Sequence, residues 1–431
     1  MTSHTPVRII IIGAGNRGAQ YARFAADTGL ASIVAIAEPV ITRRVAAQRE
    51  HDVPAQDAVV DWHELAAREP FADAVIIATL DADHHEAAVA FLQRGYHVLV
   101  EKPMATSEAD AAEMVAAAHA NDRMLAVCHV MRYTPYTRAL ARLLASGLLG
   151  ELVSVDHFEP VGWWHHAHSY VRGNWRREDL GSPMLLAKSV HDIDWLDYVI
   201  GRPAKRVSSF GSLQHFRPEN RPEGAADNCL DCPVEHTCPY SAPRLYLGAL
   251  GNPARERWPL SAVTDARTPE GIRDALRTGP YGRCVYASDN DVVDHQVVSI
   301  EYEGGTTASF TMSAFSPFGF RKTRIGGTHG YVEGDGRVLN VTDFRTSERH
   351  TIETLPEGTN GAAGGHGGGD RGLIDAFVAS VVAGEPTHGL ASAEDSFRSH
   401  QLTWAAERAR LEGRVIDLTT SPSLTLRTPL T

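Results

Sequence analysis

Gly13-Ala14-Gly15-Asn16-Arg17-Gly18 follows directly on the apolar run Val7 to Ile12, where a strand would give way to a helix. In that setting Gly13 makes a tight turn, Gly15 lets backbone approach a pyrophosphate, and Gly18 permits close packing of the helix. The helix N-terminus at Asn16 and Arg17 then offers N–H groups to an anion. Glu38 stands twenty positions beyond Gly18. An acidic side chain at that spacing accepts from the ribose hydroxyls of an adenosine and repels a 2′-phosphate, which favours NAD. Arg43 and Arg44 keep NADP open.

Two further groups carry proton and charge chemistry. Lys102, in Glu101-Lys102-Pro103, ends a strand-like stretch, the place where open parallel sheets collect ligands. Lys188, His191 and Asp192 are spaced so that ammonium, imidazole and carboxylate share one helix face. Removing hydride from a carbinol needs a base for the hydroxyl proton and positive charge beside the developing alkoxide. His191 titrates near working pH and suits the base role, with Lys102, and Lys188 beside it, supplying charge. The plainer readings are a solvated strand-end lysine and a histidine that only packs its helix. Trp163 to Tyr170 and Gly173-Asn174-Trp175-Arg176 concentrate rings and donors, as carbohydrate pockets do, with Trp175 and Arg176 as substrate-side candidates. The same rings would suit a contact between subunits, and the spacing of His165, His166 and His168 is a weak metal signal. Cys229-x2-Cys232-x5-Cys238, with Cys284 further on, has ligand spacing, and four thiolates would close a tetrahedral zinc site. An iron–sulfur cluster is disfavoured because nothing in the chain calls for a one-electron carrier; buried, metal-free thiols are the other alternative. Cys128 reads as packing.

Ala78 to His84 and Gly95 to Pro103 resemble the fourth and fifth βα units of the Gfo/Idh/MocA family, which comprises glucose-fructose oxidoreductase, inositol dehydrogenase and their relatives. The resemblance implies a dinucleotide domain followed by an open antiparallel sheet that closes over the nicotinamide. It places Thr79, His84, Glu101 and Lys102 at the cofactor and makes Lys102 catalytic. The family's Asp-x-x-x-His helix pair falls on Ala187 and His191, so this chain departs from the pattern: an alanine neither ionises nor orients. His129 to Tyr133 is similar to the family's crossing segment, where an Arg-aromatic pair, here Arg132 and Tyr133, faces the substrate together with Asp192. Gly364 to Gly369 resembles a loop of the family branch that uses NAD to hydrolyse α-N-acetylgalactosaminides, which puts His366 on the substrate side. Asp370 is placed to cap the helix after it.

The elements that must position these residues follow from periodicity. Strand candidates at Val7 to Ile12, Ala31 to Ala37, Ala74 to Thr79, His97 to Val100 and Met124 to Cys128 alternate with helical stretches such as Asp83 to Arg94 and Ser107 to Ala120, a doubly wound parallel sheet. Ser107 with Asp110 makes a capping-box-like start. Beyond it, Gly150 to Glu159 and Val292 to Phe315 alternate as antiparallel strands, with turns at Glu303 to Gly305 and Glu333 to Gly336. Pro183 to Ile200 is helical, and Asp370 to Ala383 and Ser392 to Glu412 read as late helices. The expected fold is α/β: a Rossmann domain over 1–128, then an α+β domain over 129–431 built on an open, mainly antiparallel sheet. About 214–284 is an insertion with little core of its own.

The whole chain sets the class of partner. It has 431 residues, 41 Lys plus Arg and 53 Asp plus Glu, a net charge of −12. That balance offers no broad cationic surface to nucleic acid, and the longest apolar runs are too short to cross a bilayer. No secretory signal is visible, and an odd cysteine count argues against a disulfide framework, so the cytoplasm is expected. The expected activity is an NAD-dependent oxidoreductase on a sugar, sugar derivative or cyclitol. Two rivals stand beside it: an NAD-dependent glycoside hydrolase that oxidises its sugar transiently, and a dinucleotide-sensing regulator without catalysis. The resemblance also implies a homodimer or homotetramer.

Overall fold

Val7–Ile12 is apolar at every position but Arg8, so as a strand it is stable only with neighbours on both sides and cover on both faces. It forms β1, inside a six-stranded sheet of order β3-β2-β1-β4-β5-β6, with β2 Ala31–Ala37, β3 Ala58–Val59, β4 Ala74–Ile77, β5 His97–Val100 and β6 Leu125–Val127. Every pairing in it is parallel. The order reverses between β1 and β4, and the strand ends beside that reversal form the crevice where ligands of such sheets bind. The computed structural model describes residues 5–354, 366–387 and 389–419. Helix Glu108–Ala120 begins where the sequence places it, with Ser107 Oγ accepting from the Asp110 N–H at 3.1 Å.

The second sheet has nine strands in the order β14-β13-β12-β11-β7-β10-β9-β8-β15. They are β7 Leu152–Pro160, β8 Ala204–Ser212, β9 His295–Tyr302, β10 Thr307–Ser313, β11 Lys322–Gly327, β12 Gly330–Gly334, β13 Val338–Asp343, β14 Arg349–Glu353 and β15 Ile416–Asp417. All neighbours are antiparallel except β7 and β10. Those two are far apart in sequence, and the long connection between them permits a parallel pairing that a hairpin forbids. Helix Met184–Ile200, buried almost throughout and closed by Gly201 at φ 64°, shares its core with the inward residues of this sheet.

The late helices depart from a simple division of the chain. Helix Gly369–Ala383 packs on helix Asn16–Asp27, and its Leu373, Ile374 and Phe377 share a core with Ile9, Ile11 and Tyr21. Helix Ala393–Glu412 touches both Met184–Ile200 and Glu108–Ala120 and so joins the two sheets. The insertion also differs from expectation. Ala242, Leu245, Tyr246, Leu260, Ile272 and Leu276 form a small core of their own, brought together from the short helix Ala242–Leu247, a turn at Leu260 and the amphipathic helix Pro269–Thr278, whose buried face shows only Ile272 and Leu276. Among the described residues, no helix is long and apolar enough to cross a membrane.

Candidate functional site

At the crevice Gly13 has φ +83°, and a Cβ there would lie 2.6 Å from Ala78 O. A Cβ on Gly18 would collide with Gly13 O, so neither glycine is replaceable without moving backbone. Helix Asn16–Asp27 starts with no side-chain cap and no acidic residue in its first turn, leaving a bare N-terminus beside the turn. Glu38 is buried at the end of β2, where its two oxygens accept from the Ala14 and Val40 N–H groups at 2.8 Å each. Four acceptor sites less two leave room for ribose hydroxyls. Arg44 is committed to the Glu38 and Pro39 carbonyls, whereas the Arg43 guanidinium reaches to 3.9 Å of where a Gly15 Cβ would stand. The cradle therefore fits a dinucleotide. Thr79 follows β4, its hydroxyl donating to Leu80 O, and Asn16 is exposed at the helix start.

Arg17 is drawn elsewhere. It pairs with Glu101 at 2.8 Å and with Asp370 at 2.6 Å; Asp370 stands inside the first turn of helix Gly369–Ala383, whose N-cap position is Gly368. Tyr21 also donates to Glu101 at 2.6 Å. Burial pushes the Glu101 carboxyl up, but the Arg17 and Lys102 cations outweigh it and hold it below the ordinary range. His84, buried, donates from Nδ1 to Pro103 O at 2.7 Å and fixes the turn after Lys102.

Lys102 crosses from β5 to the second unit: its Nζ donates to Ala187 O at 2.6 Å. Loss of solvent pulls the ammonium below its ordinary pKa against the attraction of Glu101 and Asp81, and the nearby Lys188 and Arg17 add to the lowering. The backbone carbonyl of Ala187 thus meets the lysine where the family pattern expects a carboxylate. His191 is buried one turn further on, its ring edge-on to His129 with centroids 6.4 Å apart. Burial lowers His129 to about 4, so it is neutral at working pH.

Lys188 Nζ lies 3.2 Å from Glu159 Oε1, and Glu159 also pairs with Arg321. Arg321 Nε reaches Asp192 Oδ1 at 2.9 Å, and His157 donates from Nε2 to the same oxygen at 2.9 Å. Burial alone would raise the Asp192 carboxyl; Arg321 and His157 hold it far below the ordinary range. Lys188, Glu159, Arg321 and His157, with Phe318 and Phe320, line a cavity of about 50 Å³, and Asp192 lies behind Arg321 and His157, outside its lining. Sequence reasoning found Lys188 and Asp192 but missed Glu159, His157 and Arg321. Glu159 and His157 sit on the buried face of β7, and a charged residue on the apolar face of an alternating strand is the signal that marks them.

The crossing segment is arranged differently from expectation. Arg132 makes two bonds to Asp194, at 2.8 and 2.6 Å, and Tyr133 is buried in the core with Leu373 and Phe377. Met131 and Thr134 line the cavity instead, because the 3-10 turn Val130–Tyr133 rotates Arg132 and Tyr133 away from it. Trp175 Nε1 donates to Asp81 across the two units at 3.1 Å, whereas Arg176 is turned to Asp289 at 2.8 Å, at the surface. The backbone of His366 opens the turn His366–Gly368; its side chain, with Gly364 and Gly365, lies outside the described residues. The single-ion zinc expectation is corrected: Cys229, Cys232, Cys238 and Cys284 are free thiols, and among the described residues no three His, Cys, Asp or Glu side chains converge closely enough to hold a metal ion. The sequence gives their spacing along the chain but not the separation of their sulfurs.

Comparison with known proteins agrees with this architecture. Residues 7–129 match an oxidoreductase family described by its NAD-binding Rossmann fold, and residues 141–418 match the C-terminal alpha/beta domain of the same oxidoreductase family. One relative is "Putative oxidoreductase YteT" of Bacillus subtilis, 27% identical over 320 residues, 70% of this chain and 71% of that one. Another is inositol 2-dehydrogenase of Streptomyces avermitilis, 31% identical over 225 residues, 51% of this chain and 60% of that enzyme. Among solved structures, levoglucosan dehydrogenase in complex with NADH and levoglucosan has a TM-score of 0.69 over 96% of this chain and 100% of that one, at 18% identity, a likeness of fold.

Proposed function

The chain belongs to the Gfo/Idh/MocA oxidoreductase family, and from that premise we propose that it moves hydride between a hydroxyl-bearing carbon of a sugar, sugar derivative or cyclitol and the nicotinamide of NAD. One observation carries the reading: Lys102, at the strand end beside the nucleotide crevice, is desolvated and bonded to the very helix that carries Lys188 and His191. Gly13, Gly15, Gly18, the helix start at Asn16, and Glu38 would hold the dinucleotide, with Thr79 along the same crevice. When bound, its nicotinamide supplies the two-electron acceptor. The Lys102 ammonium stands at the substrate hydroxyl and stabilises the charge left as the proton departs, and His191 accepts that proton. Lys188, Glu159, Arg321 and His157 form a fixed polar wall, with Asp192 holding Arg321 and His157 from behind, and Phe318 offers a ring face to the substrate. Trp175 positions Asp81 at the junction. His366 stays a substrate-side proposal, and Arg132, Tyr133 and Arg176 act through packing and ion pairs.

The test is to denature freshly purified protein, count the nicotinamide nucleotide released per chain, and assay a sugar and cyclitol panel with and without added NAD. Exchangeable NAD with turnover of a carbinol supports the dehydrogenase. One retained equivalent with cleavage of aryl glycosides would overturn it in favour of the hydride-recycling hydrolase, and retained NADP would overturn the choice of cofactor. Lys102→Ala is expected to lower kcat by roughly 10²- to 10⁴-fold while nucleotide binding persists. Binding without any turnover in the wild type would favour the sensor. The cytoplasm, where thiols stay reduced, suits five free cysteines. A homodimer or homotetramer completes the reading: Phe210, 71% exposed, sits opposite Val297 on the open face of the second sheet, and light scattering measures the state.

A further inference from the structure

The four cysteines of the insertion surround one cavity of about 210 Å³, on the far side of the aromatic segment Trp163–Arg172. Three segments bring them there. Cys229 opens a short turn and Cys232 follows it; Cys238 ends the next turn; Cys284 is delivered by a bridge between Asn228 and Arg283, its N–H donating to Asp227 O at 2.7 Å. Buried Arg172 reaches into the same cavity. Its Nε donates to Arg283 O at 2.7 Å and its Nη2 to Tyr240 O at 2.8 Å and to Cys229 Sγ at 3.4 Å, while Nη1, equally buried, has no hydrogen-bond partner. A buried guanidinium nitrogen without an acceptor, beside sulfur, calls for an anionic group in this space.

A single zinc ion does not suit the arrangement. Bonds of ~2.3 Å in a tetrahedron bring thiolate sulfurs within about 4 Å of one another. No three ligating side chains among the described residues converge in that way. The cavity, at about 210 Å³, is also far larger than one ion fills. A cubic cluster differs on both counts, because each thiolate binds a different iron at a different corner, and the sulfurs stand further apart around a larger body. Three cysteines close in sequence with a fourth remote is also a spacing that iron–sulfur proteins use.

We propose that Cys229, Cys232, Cys238 and Cys284 ligate a [4Fe–4S] cluster, with Arg172 donating to its sulfurs. The cluster is transferred preformed from a thiolate-ligated donor: four iron–cysteine bonds form as four iron–donor-thiolate bonds break, the four cysteine thiol protons pass to the departing thiolates, and no electron changes place. Its role is structural, so the absence of a one-electron step in the chemistry does not weigh against it. It ties 229–238 to Cys284 and, through Arg172, to the segment that carries His165 and Tyr170, and so holds the aromatic wall behind the Lys188 cavity.

The experiment is anaerobic purification of the full chain, with iron, acid-labile sulfide and zinc counted per chain and the visible spectrum recorded. About four irons and four sulfides with a broad visible band bleached by dithionite are expected. One zinc per chain without sulfide, or no metal bound to the anaerobically purified protein, would overturn the proposal. Cys238→Ser should lose most of the iron and the band, whereas Cys128→Ser, in the other unit, should keep both. If the serine variant fails to fold, the wild-type metal and sulfide counts still decide. None of these readouts depends on the hydride reaction.

Discussion

Ala187 leaves Lys102 with a carbonyl for a partner, so that Glu101 and Asp81 are the anions left to oppose its desolvation. A carbonyl carries a partial charge, so nothing at this position offsets the desolvation that lowers the ammonium's pKa. Ala187→Asp would add an anion within reach of Nζ and raise the Lys102 pKa; the alkaline limb of the kcat–pH profile should then move to higher pH. An unchanged limb would show that Lys102 does not govern it. Arg321 is argued from the same kind of balance. Arg321→Met leaves Glu159 and Asp192 buried with one cation fewer, at a cost of about 3–5 kcal/mol, measured as a lower urea midpoint. Lys102 and Lys188 were legible because a charge at a strand end or on an apolar helix is conspicuous in sequence. Arg321 was not, because it precedes β11 in a loop and acquires meaning only from Glu159 and Asp192, more than a hundred residues away.

Elements with one dominant period were read closely. β1, β2 and β5 fall on their expected bounds, and helix Met184–Ile200 differs from its expected span by one residue. β3 was missed because two residues carry no period. The tight turn after β1 is the element on which cofactor binding rests. Gly13→Ala meets both a positive φ and a carbonyl oxygen at 2.6 Å. Titration with NAD should show affinity lowered at least tenfold with the melting curve of the second unit unchanged; ordinary affinity would remove this turn from the binding site. The parallel β7–β10 pair was hidden for a different reason. Alternation specifies which face of a strand is buried but not which neighbour it takes or in which direction.

Across the whole molecule, buried neutral histidines set a limit in acid. His129 and His166 are lowered to about 4, and His168 and His400 to about 3, each by burial. The unfolded chain protonates its histidines near pH 6.5, so between that pH and about 4 it binds more protons than the folded chain. Stability is therefore present above pH 6.5 and lost as pH falls, with a slope approaching about 5 kcal/mol per pH unit near pH 5 for four such groups. Chemical unfolding at pH 7, 6 and 5 measures it, and a flat series would refute it. The second consequence is one of timing. Because Leu373, Ile374 and Phe377 complete the core around Ile9 and Tyr21, the ribosome delivers the nucleotide-binding sheet long before it delivers the helix that seals it. The sheet emerges first and closes among the last, so the nascent chain must keep an apolar face sheltered for most of its synthesis, and a message cut before codon 369 should yield an aggregating fragment rather than a small nucleotide-binding protein.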